Sequence, residues 1–145
     1  NTERDLVAAK DLPADSFELV GVSLFVNPKV TDAGLEYLKG LTALQRLSLD
    51  RTQTTDAGLE YLKGLTALQE IVLRNTQITD AGLEHFKCLP TLQILNLKNT
   101  QVTDAGLEHL KSLAELQWLI LEGAQVTDAG VARLQKALPN CKIER

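Results

Sequence analysis

The stretch TDAGLEYLKGLTALQ occurs twice, letter for letter, at residues 31–45 and 55–69. The chain continues as RLSLDRTQ after the first copy and as EIVLRNTQ after the second. Fifteen residues are held fixed while the next stretch differs. Extending the comparison gives a period of 24 residues, with registers opening at Val30, Thr54, Ile78, Val102 and Val126. Four registers are complete, and the fifth, VTDAGVARLQKALPNCKIER, departs from the pattern as it ends. Self-similarity at such a period marks a solenoid, in which each coil buries its apolar face only against its neighbours.

Two hydrophobic periods alternate within a repeat. Leu44, Leu47 and Leu49 lie in the pattern L-x-x-L-x-L, as do Leu68, Ile71 and Leu73, then Leu92, Leu95 and Leu97, then Leu116, Leu119 and Leu121. The last two of each trio have strand spacing. Leu35, Leu38 and Leu41 recur every third residue and define one face of a short helix. Thr31 is the expected N-cap of that helix, and Asp32 places a negative charge at its positive end. Val30 and Leu35 are spaced as a hydrophobic staple, and Val102, Thr103, Asp104 and Leu107 repeat the set.

These motifs, over about residues 19 to 143, resemble leucine-rich repeat proteins. The L-x-x-L-x-L-x-x-T-x-V consensus and TDAGL turn are similar to bacterial repeats of ribonuclease-inhibitor-like type, and to those of eukaryotic F-box leucine-rich proteins. The resemblance implies an α/β leucine-rich repeat solenoid with a parallel concave sheet and short convex helices. Thr52, Thr76, Thr100 and Ala124 stand where the family usually has Asn, so a hydroxyl ladder is expected to fail at Ala124.

One domain is expected over residues 1–145. Residues 1–29 supply an N-terminal cap (1 to 18) and a first strand around Leu19, Val22 and Leu24, with Pro28 in the turn that follows. Residues 30–125 hold the four full repeats, and 126–145 a partial repeat and cap. Cys141 and Ile143 fit a last short strand. Both Cys88 and Cys141 read as buried small apolar residues, since two scattered cysteines form neither a disulfide framework nor a zinc site.

The residues between the strand leucines point away from the core, onto the concave face. They form columns: Arg46, Glu70, Ile94, Trp118; then Ser48, Val72, Asn96, Ile120; then Asp50, Arg74, Lys98, Glu122; then Arg51, Asn75, Asn99, Gly123. The flanking columns, Gln45, Gln69, Gln93, Gln117 and Gln53, Gln77, Gln101, Gln125, do not vary and are expected to form amide ladders. Drift at solvent-facing positions would also produce variable columns. Against drift, Val72, Ile94, Trp118 and Ile120 are apolar where drift keeps residues polar, and they include the only Trp. A contiguous exposed apolar patch marks a contact surface, and Trp is enriched at binding hot spots. The candidate partner-binding residues are therefore Trp118, Ile94, Ile120, Val72 and Asn96, with Arg74, Lys98, Glu122, Glu70, Arg46 and Asp50 as polar and charged surroundings.

The convex columns are Glu36, Glu60, Glu84, Glu108 and Lys39, Lys63, Lys87, Lys111, a solvated face of weak Glu–Lys pairs. His85 and His109 fall in adjacent coils, but two imidazoles without a carboxylate or thiolate partner make a poor metal site. No glycine-rich phosphate loop or nucleophile–base motif is present, so neither catalysis nor a cofactor is expected. A net charge of −4 argues against nucleic acid, and no apolar run reaches the ~20 residues of a membrane span. The chain has no Met and a charged start, NTERDLVAAKD, as expected of a processed protein or an excised fragment. The reading is a non-catalytic module that recognises a protein or peptide on its concave face. The alternative is a structural spacer or assembly unit of a larger protein.

Overall fold

The computed structural model describes residues 20–24, 27 and 29–145. Strands β1 (Gly21–Ser23), β2 (Arg46–Ser48), β3 (Glu70–Val72), β4 (Ile94–Asn96), β5 (Trp118–Ile120) and β6 (Lys142–Glu144) form one parallel sheet in chain order. Leu47, Ile71, Leu95 and Leu119 are aligned across β2 to β5, the register that a 24-residue period requires. Helices α1 (Asp32–Leu35), α2 (Asp56–Leu59), α3 (Asp80–Leu83), α4 (Asp104–Leu110) and α5 (Asp128–Ala137) line the opposite side. The first three pass directly into 3-10 turns, Glu36–Leu38, Glu60–Leu62 and Glu84–Cys88. The expected cap over residues 1 to 18, with Leu19 and Pro28, lies outside the described residues.

The core is one apolar stack between sheet and helices. Leu35, Leu59, Leu83 and Leu107 are buried in register, as are Leu44, Leu68, Leu92 and Leu116. Phe86 fills the column of Leu38, Leu62 and Leu110 and is fully buried. Thr54 breaks the aliphatic column of Val30, Ile78 and Val102, but its buried hydroxyl is partnered by Thr52 Oγ1 at 2.9 Å. The hydroxyls of Thr52, Thr76 and Thr100 donate to the carbonyls of Leu49, Leu73 and Leu97 at 2.6–2.8 Å. Ala124 retains only the backbone bond of that turn, from its N–H to Leu121 O.

The TDAG turn does more than start a helix. Each Asp carboxylate accepts two hydrogen bonds from the Thr of the following coil, one from its backbone N–H and one from its hydroxyl. Asp32 holds Thr55 at 2.8 and 2.6 Å, and Asp56 holds Thr79 at 2.8 and 2.5 Å. Asp80 holds Thr103 and Asp104 holds Thr127, each at 2.7 and 2.6 Å. The two bonds from Thr127 hold the Asp104 carboxyl below its ordinary range. The expected N-cap bond forms in three of the five repeats. Thr31 and Thr55 make no side-chain cap bond, whereas Thr79, Thr103 and Thr127 accept from Ala81, Ala105 and Gly130.

The clasp explains the glycine of the motif. A Cβ on Gly58, Gly82, Gly106 or Gly130 would overlap Oδ1 of Asp32, Asp56, Asp80 or Asp104 in the preceding coil. Glycine is therefore needed for room, at ordinary helical backbone angles.

The expected glutamine ladders do not form through side chains. Among the described residues, the only side-chain bonds from a glutamine are those of Gln135, whose amide donates to Leu138 O and Cys141 O at 2.9 Å and closes the last coil. The backbone instead forms the ladder, with Gln69, Gln93 and Gln117 N–H donating to Gln45, Gln69 and Gln93 O at 2.8 Å. The side-chain ladder lies at the strand exits. There Asn75 Nδ2 donates to Asp50 and Asn99 Nδ2 to Asn75, and Arg51, Asn75 and Asn99 take φ of 55–57°. Gly123 ends that column at φ 74°, and a Cβ there would overlap Asn99 Oδ1. Cys141 is buried as expected, and burial pushes its thiol up, but Cys88 is exposed at the end of a 3-10 turn.

Two outcomes test this packing. Leu95→Ala should cost about 2–5 kcal/mol through lost burial and a cavity, read as a shift of the denaturation midpoint. Gly106→Ala alone should destabilise by overlap with Asp80. Combined with Asp80→Ala, the same substitution should be far less harmful, because the overlapping atom is gone and Ala is the better helix former by about 0.5–1 kcal/mol. Additive effects in this double-mutant cycle would refute the clasp.

Candidate interaction surface on the concave face

Strand alternation sends Leu47, Ile71, Leu95 and Leu119 inward and leaves their neighbours on the concave side. Ile94 stands opposite Trp118 across β4 and β5, and Asn96 stands opposite Ile120. Val72 stands beside Asn96 on β3. Trp118 is 38% exposed, while Val72, Ile94, Asn96 and Ile120 are half-buried. The sheet thus brings the four apolar residues into one stripe bent around Asn96.

Beyond Trp118 the columns continue onto β6. Lys142 lies next to Trp118, and Glu144 next to Ile120. The Lys142 ammonium sits over the Trp118 ring, 5.0 Å from its centre, and pairs with Glu144 at 2.6 Å. That hydrogen bond holds the Glu144 carboxyl below its ordinary value. Sequence reasoning missed both residues, although adding 24 to Trp118 and Ile120 reaches them.

The charged surroundings divide. Lys98 pairs with Glu122 at 2.7 Å, both at least partly exposed. Asn96 also has a local task, its Oδ1 accepting from Lys98 N at 3.0 Å. Asp50 is corrected. It is 1% exposed and does not belong to a solvated rim. Arg74 Nη2 donates to its carboxylate at 2.6 Å, with Asn75 adding a second bond at 3.1 Å. Burial alone would raise the Asp50 pKa, but the bonds from Arg74 and Asn75 and the nearby positive charges hold it below its ordinary value. Arg74, half-buried, is thereby anchored across coils. The column of Arg51, Asn75, Asn99 and Gly123 is a row of left-handed turns rather than a variable contact column. Arg46 and Glu70 face each other on β2 and β3, and neither has a side-chain hydrogen bond or ion pair among the described residues.

No group of three or more candidate metal ligands is present among the described residues. No helix there is long and apolar enough to cross a membrane.

The sequence matches the leucine rich repeat family over residues 42–102 and 66–126, which together cover more than half of the chain. The chain belongs to the leucine-rich repeat family. Among solved structures, an internalin of Listeria monocytogenes is similar at 26% identity and a TM-score of 0.66, over 76% of this chain and 30% of that one. A leucine-rich repeat protein of Leptospira interrogans is similar at 24% identity and a TM-score of 0.56, over 88% of this chain and 37% of that one. Actin-binding site 2 of leiomodin-1 shares the fold at 17% identity and a TM-score of 0.63, over 85% and 80%. The chain thus spans 30% and 37% of the lengths of these two bacterial proteins. No curated protein matches the sequence. Leucine-rich repeat domains are in general protein-interaction modules.

The buried Asp50 makes stability depend on pH. Its folded pKa is depressed, so its contribution is complete above the unfolded carboxylate value and is lost as pH falls through the folded value. Wild type should therefore exceed Asp50→Asn in urea midpoint near neutrality, and the gap should narrow below about pH 4. A gap constant from pH 6 to pH 3 would show that the Arg74–Asp50 pair carries no such linkage.

Proposed function

We propose that this domain is a non-catalytic recognition module that binds a protein or peptide through its concave face. The observation that carries the reading is the stripe of Val72, Ile94, Trp118 and Ile120. It breaks an otherwise polar face, and it lies where repeats differ while the clasped scaffold repeats itself. Apolar side chains held on a rigid sheet lose little conformational freedom on binding, and a central aromatic gives the largest area per immobilised bond. Lys98, Glu122, Lys142 and Glu144 surround the stripe as partnered charges, which orient a partner more than they hold it. Within the family we assign the repeats to the ribonuclease-inhibitor-like type, on the strength of their 24-residue TDAGL period and convex helices. The internalin and leiomodin likenesses support protein recognition in kind and identify no partner.

The test is capture of interacting proteins on the wild-type domain, followed by titration of the captured protein. Trp118→Ala and Ile94→Glu should leave circular dichroism and thermal unfolding nearly unchanged, because both side chains lie outside the core. Trp118→Ala should weaken binding by about 2 kcal/mol or more, roughly thirtyfold. The convex substitution Lys87→Glu should change affinity little. If Lys87→Glu abolishes binding while Trp118→Ala does not, the concave-face reading is wrong and a spacer or assembly role through the convex side takes its place.

A further inference from the structure

The concave face has two chemically different ends. Around Trp118 the polar groups already have partners: Lys98 with Glu122, Lys142 with Glu144, and Asn96 with the backbone of Lys98. At the β1–β3 end there is instead a recess of about 220 Å³, lined by Gly21, Ser23, Arg46, Ser48, Glu70 and Val72. Gly21 is short beside Arg46, and the next column opens with the two short residues Ser23 and Ser48. Arg46 and Glu70 stand on adjacent strands beside it, and like Ser23 and Ser48 their side chains have no hydrogen-bond partner among the described residues. Arg46 is exposed and Glu70 half-buried, so both are free to bond a ligand: a guanidinium takes an acceptor, and the carboxylate one strand away takes a donor. A carboxylate in the recess would suit Arg46 and be repelled by Glu70, and an ammonium would meet the reverse. A carboxamide satisfies both, with its oxygen toward Arg46 and its NH2 toward Glu70.

We propose that the recess is a subsite for an Asn or Gln side chain of the peptide segment that lies along the concave face; this rests on the binding reading above. The spacing follows from the sheet. From β2 to β5 is three strand steps of ~4.8 Å, about 14 Å. An extended chain advances ~3.3–3.6 Å per residue, so about four residues separate the amide from the apolar side chain on Trp118.

The test selects a displayed random-peptide library on the wild-type domain and counter-selects on Trp118→Ala. Enriched peptides should carry Asn or Gln about four residues from an aromatic or large aliphatic residue. With one such synthetic peptide, Arg46→Ala and Glu70→Ala should each lower affinity at least about tenfold, the scale of a hydrogen bond to a charged group. Replacing the peptide's amide residue by Met should lower affinity similarly and abolish the effect of either protein variant. Peptides that depend on Trp118 but carry no amide at that spacing, or ignore Arg46 and Glu70, would overturn the subsite and leave the concave-face reading standing. A library giving no Trp118-dependent peptide would count against both.

Discussion

The constraint on which the rest of this solenoid depends is the clasp between coils. An Asp carboxylate accepts from both the N–H and the hydroxyl of the next coil's Thr, and a glycine three residues after that Thr leaves it room. Two charge-assisted bonds to one carboxylate fix distance and orientation together. Because Asp, Thr and Gly come from neighbouring coils, none can change alone. The clasp occurs at four successive coil junctions, so the convex side of the scaffold admits little variation. It also has a direction, since each coil presents its carboxylate forward and receives the preceding one. In the fifth coil Asp128 is paired with Arg145, while the Gln135 amide donates to the carbonyls of Leu138 and Cys141.

That rigidity gives the concave face its freedom. Buried leucines on both sides of each strand hold the backbone in register, so exposed positions between them can change without disturbing the stack. The strand exits are less free. There the chain turns through left-handed conformations, and Asp50, Asn75 and Asn99 stabilise the turns by bonds along the coils. One column can therefore contain both kinds of residue. Asp50 is locked by Arg74 and Asn75, whereas Lys98 and Glu122 pair near solvent.

Much of the fold was legible because its period is explicit. The 24-residue register places Ile94 beside Trp118 and aligns Leu47, Ile71, Leu95 and Leu119, and the sheet has that arrangement. The clasp was hidden because Asp and Thr each had a sufficient local explanation at a helix start, while their partners lie 23 residues away. The glutamine columns misled because identical residues on adjacent coils suggest a side-chain ladder, yet the backbone beneath makes the bonds. For Cys88 a usable signal existed. Its column mates are Gly40, Gly64 and Ser112, residues of a surface turn rather than of a core. The burial of Asp50 had no such signal, since its cause is an Arg one coil later that happens to fold back.

These observations also bear on how specificity is distributed. Where side chains on the concave face are already bonded to one another, as around Lys98 and Lys142, a ligand must either break those bonds or accept them as a fixed polar border. Discrimination there falls to shape and to the apolar contact with Trp118 and Ile94. Where groups are unpartnered, as at Arg46 and Glu70, a ligand that fails to complete their bonding leaves charges desolvated beneath it. The two ends thus reject wrong ligands by different means, one through poor packing and the other through unmet hydrogen bonds. A repeat scaffold suits this division, because each coil contributes its own few side chains to the face while the clasp beneath remains the same.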